Sequence, residues 1–412
     1  MSRFGWVGLV AAIGLAACSP AAELPTDKPS EGPTSESRWE IDSPVGLYSM
    51  APSLTVVEGE LVLSWLERTQ NETGDTHHQL LVSRLQPGGW TKPVRVASGT
   101  NFFGNWADTP AVAASATGEL FAHWLAKTDE DTYAYSIFMA RSEDGGESWN
   151  PLGTLNNDDT PTEHGFVSYT AEGEGVRAFW LDGRKMVDGG DMTFRTAWVG
   201  QDVGPDEVLD ERVCECCSTA AASTDDGPLA VVRDRSADEI RDIGIVRRTA
   251  DGWAATELVS ADEWTIAGCP VNGPGIAAAG KGVSVVWYTA GGGGPKVQIA
   301  FSVDAGQSFG PPQVVDGGRP LGRVDIVLDD LGGTVVSWLE GADDMAEIRL
   351  RRFTADGEAG EPIVVARTSP SRASGFPRLA QINGDFYLAW VDFAGEESSR
   401  IRILEIPHSD LG

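Results

Sequence analysis

The chain has 412 residues, 61 of them acidic and 31 basic, and a formal net charge of −30. Such a surface repels nucleic-acid phosphates and anionic lipid headgroups alike, which excludes nucleic acid as a partner and adsorption to a lipid surface as a mode of attachment. Hydrophobic residues make up 41%, enough for a full core and too many for a disordered acidic chain, while 49 Gly and 23 Pro favour short strands joined by tight turns.

In chain order, the first feature is an address. Residues 1–17 carry a short basic start at Arg3 and an uncharged run from Val7 to Ala17, too short to span a bilayer and suited to a signal peptide. The run ends in Leu15-Ala16-Ala17-Cys18. That segment resembles a bacterial lipobox, and the resemblance implies acylation of Cys18 and a membrane anchor at the cell envelope, on the outer membrane or the periplasmic face. Residues 18–37 are rich in Pro, Ser, Thr and Glu and read as a flexible tether.

From residue 38 to 412 we expect a single all-β domain. A strand ending in Trp recurs at Trp65, Trp124, Trp180, Trp287, Trp338 and Trp390, with Val232 standing in the same frame. The seven positions are separated by 59, 56, 52, 55, 51 and 52 residues. Each is preceded by an apolar strand and a Gly-bearing turn and followed by a third strand, with a fourth after that in all but the last unit. Four short strands per period of about 50 residues predict a β-propeller blade. The count gives seven blades, with six as the alternative. The last unit has only three strands, so Trp39 to Val45 is expected to supply the fourth and close the ring as an N-terminal strand.

Two turns carry a sharper motif, Ser142-Glu-Asp144-Gly-Gly146-Glu-Ser-Trp149 and Ser302-Val-Asp304-Ala-Gly306-Gln-Ser-Phe309. Each predicts a turn held by its Asp, with Gly in a backbone region closed to other residues and the aromatic plugged between strands. Both resemble the Asp-box, or BNR repeat, of sialidase-like propellers, a structural rather than a catalytic element. The resemblance implies a sialidase-like fold and leaves sialidase activity open, because the early Arg-bearing segment of active sialidases is replaced by Ser43-Pro44-Val45-Gly46-Leu47-Tyr48. Weak catalytic candidates are Tyr288, Arg233 and Arg235. Arg184, Arg323, Arg372 and Arg378 also sit near strand ends, to hold an anion or to pair with nearby carboxylates.

The remaining four Cys fall in two stretches, Arg212-Val-Cys214-Glu-Cys216-Cys217 and Gly268-Cys269-Pro270-Val-Asn272-Gly273-Pro274. Both occupy the connection entering the innermost strand of adjacent units, the fourth and fifth, so the fold would gather four sulfurs at the mouth of the channel. Thiolates are soft ligands that suit copper(I) or zinc. His164 and Met50 are weaker candidate ligands at equivalent connections. Disulfides, which an oxidising compartment favours, and simple packing are the competing readings. Arg233, Arg235 and Arg241 would either offset thiolate charge or form a salt-bridge network between blades. The two Cys segments, with Arg233-Asp-Arg235-Ser, resemble a family of exported bacterial propellers, a resemblance that implies no activity. The expected function is therefore a lipid-anchored, non-catalytic, monomeric metal-binding propeller. The alternatives are a sialidase-type glycoside hydrolase and a scaffold for a protein or glycan ligand.

Overall fold

A computed structural model describes residues 38–70, 74–393 and 398–411. The signal peptide, Cys18 and the tether lie outside the described residues.

Seven antiparallel sheets follow one another along the chain, each built from consecutive strands running from the channel outward. Blade 1 is typical: Ser49–Val57 innermost, then Glu60–Gln70, Thr76–Gln86 and Val94–Gly99. The innermost strands of blades 2 to 7 are Ala111–Ala114, His164–Glu172, Ala220–Thr224, Gly275–Ala279, Pro320–Leu328 and Arg378–Ile382. Each packs against the innermost strands of its two neighbours, and Arg378–Ile382 meets Ser49–Val57, so the ring is complete at seven. The expected closure is present: Glu40 pairs with Leu404 and Ile41 with Ile403. The Arg402 guanidinium grips the Glu40 carboxylate across that seam.

The recurring Trp explains how the blades stack. Trp65, Trp180, Trp287, Trp338 and Trp390 are almost wholly buried. Each packs into a cluster with the preceding blade, as Trp287 does with Leu229, Val231 and Ile245 of blade 4. Trp124 is half-buried and stacks between Phe102 and Phe138. Blade 4 has Val232 at this position. The missing volume is supplied from both sides of the seam by Phe179, Phe194 and Trp253, with Phe179 5.6 Å from Trp253.

The Asp-box turns have the anticipated geometry. Ser148 N donates to Asp144 Oδ1 at 2.9 Å, Ser142 Oγ donates to the same oxygen at 2.8 Å, and Gly146 N donates to Ser142 Oγ at 2.8 Å. The same bonds recur at Ser308, Asp304, Ser302 and Gly306. Gly146 has φ 95° and Gly306 φ 77°, where a β-carbon is strained. Trp149 and Phe309 pack into inter-blade clusters.

Candidate metal centre

The connection from blade 3 to blade 4 is pinned before it reaches its cysteines. Val213 N donates to Met192 O at 3.0 Å, and Cys214 N donates to Arg233 O at 2.9 Å. A tight turn at Glu215-Cys216 then folds the chain back. Cys214 Sγ lies 3.2 Å from Cys217 Sγ and 3.8 Å from Cys216 Sγ, and the three sulfurs all lie within 4.8 Å of one another. A tetrahedral zinc thiolate with bonds of about 2.3 Å places its sulfurs roughly 3.8 Å apart, so these thiols need only small shifts to share one ion. All four cysteines are free thiols. Cys214 and Cys217 have no exposed surface, Cys216 is half-buried and Cys269 is exposed. Cys269 arrives on the Cys216 side from the blade 4 to blade 5 connection and stands outside the group of three close sulfurs.

Two arginines aim positive charge at this cluster. Arg241 Nη1 donates to Cys214 Sγ at 3.2 Å and to Glu215 Oε2 at 2.9 Å, while Nη2 donates to Glu239 Oε2 at 2.9 Å. Arg235 is held by the same two carboxylates. Arg233 differs. It is 1% exposed and donates only to carbonyls, those of Arg241 at 2.6 Å, Asn272 at 2.8 and 3.1 Å and Tyr288 at 2.7 Å. Its guanidinium lies 4.9 Å over the Trp264 ring. No carboxylate pairs with it among the described residues. Hydrogen bonding with Cys216 and Cys217, helped by the charge of Arg233, holds the Cys214 thiol far below the ordinary thiol range. Cys216 is pushed up by its hydrogen bonds to Cys214 and Cys217, and Cys217 by burial and then by Cys214. The cluster is thus three sulfurs in mutual contact, with the Arg241 guanidinium donating to the Cys214 sulfur.

The weaker candidates lie elsewhere. Met50 packs at the edge of the blade 1 and blade 2 core. His164 is buried in a second group with Asp158 and Asp182. Its Nε2 is 3.2 Å from Asp158 Oδ2 and 3.8 Å from Asp182 Oδ1. Burial lowers its pKa, but the Asp158 hydrogen bond and the Asp182 charge outweigh that and raise it overall. Arg184 already spans both carboxylates, at 3.1 Å to Asp158 and 2.6 Å to Asp182, and reaches Asp206 at 3.2 Å. The group could enclose a cation only by displacing that guanidinium. Tyr288 rests edge-on against Trp264 at 5.6 Å, with no carboxylate on its hydroxyl among the described residues.

Two further groups escaped the sequence reading. Tyr135 Oη contacts Asp108 Oδ2 at 2.9 Å and Glu163 Oε1 at 2.8 Å, so one phenolic proton serves two carboxyls. Burial pushes Asp108 up to about 7 and Glu163 to about 8. Asp108 also accepts Phe166 N at 2.6 Å, and a β-carbon at Gly165 would lie 1.8 Å from its Oδ2, so residue 165 must be glycine. In the same connection as Asp108, the Trp106 ring has Arg323 5.3 Å and Arg372 5.9 Å over it and stacks on Phe376. Arg323 is buried, and burial followed by repulsion from Arg372 draws it down to about 10. Asp108 and Glu163 sit in the same kind of inter-blade connection as the cysteines, and aligning the repeats by that connection is the one sequence signal that points to them.

No family model matches the chain, and no curated protein matches it in sequence. Solved structures match in shape. A polysaccharide lyase superposes at TM-score 0.54 with 10% identity, over 86% of this chain and 90% of its own. An α-L-arabinanase of Penicillium chrysogenum, solved with arabinobiose, gives 0.50 and 11% over 88% and 94%. A sialidase of Trypanosoma rangeli gives 0.47 and 10% over 77% and 56%. What the lyase and the arabinanase have in common with this chain is the propeller fold.

Proposed function

We propose that this protein is a non-catalytic propeller that holds a soft metal ion, copper(I) ahead of zinc, on Cys214, Cys216, Cys217 and Cys269, and that a lipid on Cys18 anchors it in the cell envelope. The observation that carries the reading is Arg233. A buried guanidinium without a counter-ion costs several kcal/mol. Glu215 and Glu239 are engaged by Arg235 and Arg241, while the charge of Arg233 bears on Cys214 and Cys217. Cysteines packed for volume alone would not need an arginine placed this way. Among the described residues the donor set gathered around Cys214 is all sulfur, which favours soft ions over calcium or magnesium.

The test is to purify the full chain anaerobically in detergent, measure bound metal by mass spectrometry and count reactive thiols. Copper or zinc near one ion per chain, with thiols shielded until the metal is removed, is the expected result. A metal-free protein whose cysteines are paired in disulfides sinks the reading.

The second reading, a sialidase-type hydrolase, is favoured only by Arg323 and Arg372, which face Trp106 without a carboxylate partner among the described residues. Turnover of a fluorogenic sialoside, lost in Arg323→Ala, is its signature.

A further inference from the structure

The four thiols differ in how firmly each is held. Cys214 is fixed by its backbone bond to Arg233, by Arg241 at 3.2 Å from its sulfur and by complete burial. Cys217 is equally buried, and Cys216 shares their turn. Cys269 has none of these restraints. Its segment is strapped down on either side. Before it, Ile266 N donates to Glu239 O at 3.0 Å and Trp264 N donates to Asp242 Oδ1 at 3.1 Å. After it, Asn272 receives Arg233 through its carbonyl and, through Oδ1, Arg323 N at 2.8 Å. Between these clamps the amides of Ala267, Gly268, Cys269 and Val271 make no hydrogen bond among the described residues. Only the Pro270 carbonyl is held, by Asn272 Nδ2 at 3.3 Å. Ala267, Gly268 and Cys269 are exposed, and a β-carbon on Gly268 would meet nothing closer than Ile266 at 4.0 Å. Short exposed segments without backbone hydrogen bonds open at little cost in free energy.

We propose that Cys269 is the exchange ligand of the metal centre, through which the ion is passed to or taken from an external thiol, so that the protein transfers the metal rather than storing it. This rests on the metal-centre reading above. Structural metal sites are closed, whereas sites that react keep one position open or labile. A soft ion already held by the three clustered thiols does not require a fourth, and the fourth here sits on the one segment free to swing out. The step is a ligand substitution. The metal–sulfur bond to Cys269 breaks as a bond to the incoming thiol sulfur forms, and the proton lost by that thiol ends on Cys269. Transfer is complete when further incoming thiols replace Cys214, Cys216 and Cys217 with the same exchange of protons. No electrons change hands. The partner chemistry is that of a soft thiol, a small thiol or a cysteine presented by another protein.

The test uses the full chain in detergent, loaded anaerobically with copper(I). Transfer is started with glutathione and read on a chromophoric copper(I) chelator, for wild type, Cys269→Ser and Cys214→Ala. Equilibrium affinity is measured against the chelator alone. Because Cys269 is exposed, its serine variant keeps the fold. The expected result is a wild-type transfer rate that rises with glutathione, and a Cys269→Ser protein whose affinity falls by less than about tenfold while its transfer is at least about tenfold faster. Cys214→Ala loses the ion. Two results overturn the role: a Cys269→Ser protein that transfers at the wild-type rate, or one whose affinity falls about a hundredfold, which makes Cys269 an integral ligand. A wild type that takes up no copper fails the metal-centre reading itself, a different outcome from copper bound with an indifferent Cys269.

Discussion

The contact between Arg241 and Cys214 converts the charge argument into a measurable coupling. Arg241 Nη1 and Cys214 Sγ are 3.2 Å apart, and both residues are buried. Opposite unit charges at that distance attract by about 5 kcal/mol at an effective dielectric of about 20, before desolvation is subtracted. A hydrogen bond to a charged group nets about 1.5–3 kcal/mol. Arg241→Met alone also strands Glu215 and Glu239, so it is expected to cost about 3–5 kcal/mol. Cys214→Ala alone leaves Arg241 without its sulfur. The double variant should therefore be less destabilised than the sum of the two by about 2 kcal/mol. Equilibrium denaturation of the metal-free protein under reducing conditions, for all four proteins of the cycle, gives the number. Additivity within about 0.5 kcal/mol would mean that Cys214 carries no charge for Arg241 to answer, and the electrostatic account of the centre would fall.

The packing and titration of the rest of the fold are open to test in the same way. Trp287→Ala, at 0% exposure, should cost about 3–5 kcal/mol in denaturation experiments. Val232→Trp, which restores the repeat residue, should instead destabilise by about 1–3 kcal/mol because Phe179, Phe194 and Trp253 already fill that seam; a stabilised variant would refute the compensation. Burial raises Asp108 from its ordinary 3.8 to about 7. A raised carboxyl favours the folded state fully below its unfolded pKa, so this contribution is lost as pH climbs from about 4 through 7. Asp108→Asn should flatten the stability profile across that window, and an unchanged slope would place the titration elsewhere.

The repeat was legible because in six of the seven blades a Trp performs the same task, plugging one blade against the one before. The single exception, Val232, was readable as a gap in the pattern. Its compensation was not, since Phe179 and Phe194 belong to blade 3 and lie about 40 to 50 residues upstream. The closure strand was legible for a similar reason, as a blade with one strand too few. The gathering of the cysteines followed from their shared place in adjacent blades. The part played by Arg233 did not, because its partners are the carbonyls of Arg241, Asn272 and Tyr288, and a carbonyl leaves no mark in a sequence. Asp108, Tyr135 and Glu163 were hidden likewise, as three unremarkable residues brought together only when blades 2 and 3 dock.

The pairing of Glu40 and Ile41 with the last blade bears on how the chain comes to be folded at all. Arg402 and Glu40 are 362 residues apart, so this contact cannot form until the seventh blade has been synthesised. Until then the first residues of the domain have no sheet to join, and until the seam closes Ser399–Ile406 offers an open strand edge. A search over so long a loop is slow, and blades made early must wait with one flank unsealed. Chains that lack Glu40 and Ile41 are therefore expected to pair with one another through that edge rather than rest as soluble rings.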